Sequence, residues 1–229
     1  MTSFVSVTNS GQASNQTSLV VSVPAVDAGD RLICTICHGT STDDGGNAPT
    51  DWTKLSGTYQ GLSVYERIFA SSAGSGTVTF TQDNSNWWAA QVYRLSGSHG
   101  SDATQISARA GATSANPNPA SLTPTGGAKD WFWIADCVYG HASGTDQTTS
   151  AYPTNYTSTT DSDPGGAFGQ VRVASAYRAL NAASEDPGTF TLTGSLAWIA
   201  VTLAVPPAAA LMPLHMDIYS QAQSALQGY

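Results

Sequence analysis

The chain has 229 residues, enough for one large all-β domain or two small ones. Hydrophobic residues make up 41 %, which supports a packed core, while charged residues are only 10 %, far below the roughly 25 % of an ordinary soluble domain. Eight Lys and Arg are scattered among sixteen Asp and Glu, a formal net charge of −8, so the clustered cations of a phosphate-tracking surface are missing and neither nucleic acid nor membrane is expected as a partner. No apolar run approaches the ~20 residues of a membrane-spanning helix. The first residues carry neither a basic nor an apolar leader region, so no secretory signal is expected. A surface built from Ser, Thr, Asn, Gln and Gly is common in secreted modules and in subunits packed against neighbours.

Residues 4–8 alternate and predict a short first strand, and residues 18–23 a second, ended by Pro24. A turn over 27–30, with Gly29 supplying positive φ, leads to a strand over 30–37. That strand is apolar on both faces, which predicts a central, covered position. A polar Gly/Asp-rich loop follows, then Pro49-Thr50-Asp51-Trp52-Thr53. Strands are next predicted over 58–70, over 77–81 after the Gly74-Ser75-Gly76 turn, and from Trp87 to Leu95 after Asn84-Ser85-Asn86.

The second half repeats this series. Residues 130–138 form the counterpart of the central strand, and Pro153-Thr154-Asn155-Tyr156-Thr157 repeats the Pro-Thr-Asx-aromatic-Thr motif. Strands over 168–180, 189–193 and 196–205 then match those of the first half, and Trp88-x-Ala90-x-Val92 corresponds to Trp198-x-Ala200-x-Thr202. The expected fold is all-β: a single sandwich of about ten strands, jelly-roll or Ig-like, made of two pseudo-two-fold halves. The sandwich spans 1–206, with halves near 1–97 and 119–206 joined by a low-complexity crossover over 98–118, which is expected to lie on the surface with one short strand near 103–106.

After Pro206-Pro207 the pattern changes. Leu211, Met212, Leu214 and Met216 form an apolar, Pro-interrupted arm, and from Asp217 onward the spacing becomes helical. Ile218, Ala222, Ala225 and Tyr229 make one stripe, flanked by Tyr219 and Leu226. A helix of under 15 residues is marginal alone in water. The arm 207–229 is therefore expected to order against a partner, through Leu211, Met212, Leu214, Met216, Ile218, Tyr219, Ala222, Leu226 and Tyr229.

Residues that could carry chemistry are few. Cys34-x-x-Cys37 has the spacing of half a metal or redox motif, but inside a strand i and i+3 point to opposite faces, so the thiols cannot share a metal. Cys34, Cys37 and Cys137 are read as buried free thiols, with a Cys37–Cys137 pair the alternative because the two occupy matching places in the repeat. His38 precedes Asp43 by five residues, as His141 precedes Asp146; such a loop could hold a cation or a sugar hydroxyl, or simply be a polar turn. Asp43, Asp44 and Asp51 lack the ligand spacing of a Ca²⁺ loop. Glu66 and Glu185 are the only glutamates and fall in a strand and a turn, and no Gly-x-Ser-x-Gly elbow is present. No enzyme, cofactor or metal is expected. Trp87 and Trp88 are adjacent in one strand, so one should point outward, toward a glycan or a neighbouring subunit, unless both faces are covered.

One series of motifs resembles a known module. Ser-Leu-x-Val-x-Val-Pro-x-Val-x-Ala-Gly-Asp-x-Leu from Ser18, Ala-Pro-x-x-Trp-Thr-x-Leu from Ala48, Leu-Ser-Val-Tyr from Leu62, Gly-Thr-Val-Thr-Phe-Thr from Gly76 and Trp-x-Ala-x-x-Tyr-Arg from Trp88 are similar to a β-sandwich module of tailed-bacteriophage virion proteins and some bacterial surface proteins. The resemblance covers 18–205. It implies a virion location and a structural role. The expectation is an accessory subunit that decorates or cements the capsid through its C-terminal arm, with capsid or tail proteins and further copies of itself as partners. A tail-fibre or tail-tip subunit and a carbohydrate-binding adhesin module are the alternatives.

Overall fold

The computed structural model describes residues 2–39, 47–55, 61–97, 102–140, 147–163 and 171–207. All regular structure among them is strand, in antiparallel pairs. The first sheet holds β1 (Ser3–Val23), β2 (Arg31–His38), β3 (Thr53–Lys54), β4 (Leu62–Ile68) and β5 (Gly76–Ser96), in the order β1-β5-β2-β4-β3. The second holds β6 (Gln105–Ile106), β7 (Ala110–Ser114), β8 (Lys129–Gly140), β10 (Thr157–Ser158), β11 (Val171–Ala182) and β13 (Leu196–Val205). Its order is β10-β11-β8-β13-β6, with β7 also on β13. A small pair, β9 (Thr149–Ala151) and β12 (Thr191–Leu192), stands apart. The sheets face each other across one apolar layer that includes Ile33, Val64 and Tyr93 from the first and Phe132, Ile134, Val173 and Leu203 from the second. The protein is thus an all-β sandwich, as the alternating pattern predicts. The crossover is not loose surface chain throughout: β6 and β7 within it pair with β13. The predicted C-terminal helix lies outside the described residues.

Where the sequence suggests four short strands, the structure has two strands of 21 residues each, β1 and β5. The polar interruptions at 9–17 and 82–86 stand opposite one another, and neither contains proline. The ladder therefore continues through them with register shifts between Gln12, Gln16 and Ser18. Such bulges bend a strand pair. Two bonds fix the bend: the Ser22 backbone N–H donates to Ser10 Oγ at 3.0 Å, and the Trp88 indole N–H donates to the Gln16 carbonyl at 2.9 Å. The far end of the ribbon then lies over the outer face of its own sheet, so Leu19, Val21 and Phe80 pack with Leu32, Cys34, Ile36 and Trp88. This covers both faces of β2, all eight residues of which are buried.

The two halves share one ladder geometry. Thr35 pairs with Gln91 and Val64; Asp136 pairs with Val201 and Ser175. His38 stands opposite Trp88 as Tyr139 stands opposite Trp198. The repeated Pro-Thr-Asx motif closes the same turn twice. Asp51 and Asn155 both have φ of 68°, the only positive φ values outside glycine among the described residues. The Trp52 N–H donates to the Pro49 carbonyl at 3.0 Å and the Tyr156 N–H to the Pro153 carbonyl at 3.2 Å. Asx residues tolerate the left-handed conformation best after glycine. Each turn feeds a two-residue strand, β3 or β10.

This register corrects one sequence equivalence. Ile36, not Cys37, matches Cys137, because Ile36 faces Ala90 as Cys137 faces Ala200. Cys37 accordingly sits in the layer between the sheets and Cys137 on the outer side of the second sheet. All three cysteines are buried free thiols, and Cys34 and Cys37 point to opposite faces as their spacing predicts. Burial raises the pKa of each thiol.

Candidate functional site

The arm residues Leu211, Met212, Leu214, Met216, Ile218, Tyr219, Ala222, Leu226 and Tyr229 lie outside the described residues, as do Asp43, Asp44, His141 and Asp146. Of the adjacent tryptophans, Trp88 is fully buried and offers no face to a glycan, because the folded-back ribbon covers it. Trp87 is half-buried and packs against the inter-sheet layer. His38 is buried, its ring 6.1 Å from that of Trp88 and its Nε2 3.3 Å from Ser63 Oγ. Among the described residues no three His, Cys, Asp or Glu side chains gather as a metal site would need.

His38 and its structural counterpart Tyr139 mark the sandwich end where β2 and β8 finish. Between them lies a cleft of about 340 Å³, within the range of small-molecule sites. Six separate stretches of chain line it. Cys37, Val138 and Val171 form an apolar floor, Ile199 and Trp198 a wall, and Arg109 stands at the rim. Gly39, Gly61, Gly111 and Gly140 also line it, and they let the backbone approach a bound molecule closely. Gly61 and Gly111 leave little room for a side chain. Gly61 has φ of 84°, and a Cβ there would meet Ile199 Cδ1 at 3.1 Å. At Gly111 a Cβ would lie 3.1 Å from the Trp198 carbonyl and 3.4 Å from Arg109 Nη2, so the missing side chain makes room for the guanidinium against β7. Trp198 is fixed by its indole N–H donating to Ser114 Oγ at 2.9 Å.

Beside the cleft, the Tyr139 and Tyr152 hydroxyls both donate to the Asp161 carboxylate, at 3.2 and 2.5 Å. Burial, reinforced by the neighbouring Asp161 charge, holds both phenols well above their ordinary pKa. These protons are locked onto an acceptor, so the pair builds a wall and is not poised for acid–base work.

A second polar group lies deeper, midway between the sheets. Asp136 is fully buried and accepts hydrogen bonds from Thr35 Oγ1 at 2.5 Å and from Ser175 Oγ, which in turn accepts from the Tyr93 hydroxyl at 2.6 Å. Burial raises the Asp136 pKa to about 6 against the opposing pull of those two hydroxyls. With no solvent access it serves as a structural knot. Both features had a sequence signal that went unread: Asp136 breaks an apolar run at an inward position, and Arg109 is the one cation in the crossover.

The surface has one further unusual feature. β1 is an edge strand with its ladder to β5 on one side only. Its 21 residues include no charged residue and no proline. Val5 and Val20 are 41 % and 57 % exposed on it. The outer side meets the 160–162 segment at Asn9 and Ser10, through Asn9 Nδ2 to the Thr160 carbonyl and Ser162 Oγ to the Ser10 carbonyl. The other edge strands, β3, β6, β7 and β10, have two to five residues. No protein-family profile, curated protein or solved structure matches this chain.

Proposed function

We propose that this chain is a structural subunit of a tailed-phage virion, a jelly-roll or Ig-like sandwich that decorates or cements the capsid. The motif series starting at Ser18 supports the virion reading, and the 10 % charge content suits a surface covered by neighbours. The observation that carries the subunit reading is the edge strand β1. Free-standing proteins blunt a long edge with charge, proline or brevity. β1 has none of these; only its bulges and the 160–162 segment, which meets it at Asn9 and Ser10, protect it among the described residues. A neighbouring chain that adds a strand to this edge would satisfy the open backbone groups. The arm 207–229 supplies a second attachment.

The test is incorporation into particles. The double substitution Val5→Lys, Val20→Lys places two cations on the edge and is expected to reduce copies per particle at least tenfold by quantitative gel, with an unchanged melting curve. Wild-type incorporation of this variant overturns the edge role. Deleting 207–229 is expected to abolish incorporation; unchanged loading removes the arm from the proposal. Hundreds of copies per particle support a capsid position, and tens or fewer support the tail reading.

A further inference from the structure

The cations of this chain are almost all committed. Arg31, Arg67, Arg94, Lys129, Arg172 and Arg178 each have a carboxylate within 4.0 Å. Lys54 is engaged by another contact. Arg109 alone has neither an ion pair nor a hydrogen bond among the described residues, in a chain where acids outnumber cations two to one. It is exposed, and its guanidinium is held at the rim of the cleft over Gly111. No carboxylate is present among the described lining residues to compete for it.

From this placement we propose that the cleft binds one acidic sugar residue, a pyranose bearing a carboxylate, with Arg109 as the anchor for that carboxylate. A guanidinium presents a planar fork that matches a carboxylate in two parallel hydrogen bonds. The rest of the lining fits an amphipathic ring. Val138, Val171 and Ile199 face an apolar C–H surface, while the glycine-lined backbone meets hydroxyls. A wholly apolar acid would leave those polar groups desolvated and unmet, which is costly. The net charge of −8 repels a continuous polyanion, so the ligand is a single acidic residue, free or flanked by neutral sugars. This site does not depend on the virion proposal.

The experiment is titration calorimetry and saturation-transfer NMR of the full chain with D-glucuronate and D-galacturonate, against D-glucose, D-galactose, benzoate and sulfate. Saturable uronate binding, with the matching neutral sugar about tenfold or more weaker, is expected from one charge-assisted contact. Arg109→Ala should remove that preference and Arg109→Lys retain part of it. Ala112→Phe, at an exposed lining position, should block the cleft without touching the guanidinium. Both positions are on the surface, so the melting curves of all three variants should not move. Equal binding of glucose and glucuronate, or full uronate binding by Arg109→Ala, overturns the role of Arg109. Sulfate or benzoate binding as tightly as the uronates overturns the sugar assignment, and no binding of either uronate overturns the site.

Discussion

The two halves of the sandwich share a ladder but differ at its centre. On one diagonal between neighbouring strands, Arg31 and Glu66 of the first half occupy the places of Phe132 and Tyr177 in the second. The first pair is a buried ion pair, Arg31 Nη1 to Glu66 Oε1 at 2.5 Å; the second is a stacked ring pair with centroids 5.3 Å apart. The crossover explains the difference. It returns past Arg31, where Thr104 Oγ1 accepts from Arg31 Nη1 at 2.9 Å and the Asp102 carbonyl accepts from Nη2 at 2.8 Å. Thr104 Oγ1 also donates to Glu66 at 2.5 Å. The second half lacks this supply of polar groups and fills the same two places with rings, and Phe4 of β1 stacks on Tyr177 at 4.5 Å. Duplication thus preserves hydrogen-bond register, while the neighbouring segment decides whether charge or apolar surface occupies a given pair of positions.

The largest expected effect tests this directly. Arg31→Met leaves the Glu66 carboxylate buried without its partner and should cost about 3–5 kcal/mol, read as a urea midpoint. The double substitution Arg31→Phe, Glu66→Tyr transplants the second-half ring pair and should recover most of that loss, since replacing a buried ion pair by apolar groups is often neutral. Arg31 Nε has no partner, which adds to the desolvation cost of the wild-type pair. A double variant as unstable as the single one would show that the two pairs are not interchangeable.

The next effect concerns the place where Thr35 and Asp136 meet as counterparts. Asp136 has a folded pKa of about 6, above the roughly 3.9 of an unfolded Asp. The folded state therefore binds this proton more tightly than the unfolded chain. The stability it contributes is complete below about pH 4 and is lost as pH rises through about 6. A gap of about two pH units corresponds to roughly 3 kcal/mol. Wild-type stability relative to Asp136→Asn should fall by about that amount between pH 4 and pH 7. A pH-independent difference between the two would place solvent at Asp136. Thr35, at the matching position, contributes no such dependence.

Much of this was legible in the sequence. Apolar runs located the central strands, and the repeated Pro-Thr-Asx motif located the plugging turns. Exact register was not legible, because motif matching tolerates a shift of one residue while a strand does not. Cys37 with Cys137 and His38 with His141 looked equivalent, yet the ladder matches Cys37 with Val138 and His38 with Tyr139. The long ribbon was hidden because Asn and Ser signal turns but also stay extended when a partner strand bulges opposite them. The cleft was invisible because six distant stretches build it. The crossover cation Arg109 could be seen, but its lack of an acid partner is a property of the folded chain alone.

The smallest effect lies in the two turns, which come nearest to being identical. Asp51 and Asn155 share the same positive φ, so alanine at either should destabilise by about 1 kcal/mol through left-handed backbone strain. The halves differ in one added contact. Asp51 Oδ2 accepts from Arg67 at 3.2 Å, while Asn155 has no charge to offer. An exposed pair of this kind contributes between nothing and about 1 kcal/mol. Glycine removes the strain at both positions and isolates the contact. Asn155→Gly should be neutral or slightly stabilising, and Asp51→Gly should fall behind it by a few tenths of a kcal/mol at low salt. That gap should close in 1 M salt, where the Debye length shrinks to about 3 Å. If the two glycine variants differ equally at both salt concentrations, the asymmetry lies in how Trp52 and Tyr156 pack and not in the Arg67 contact.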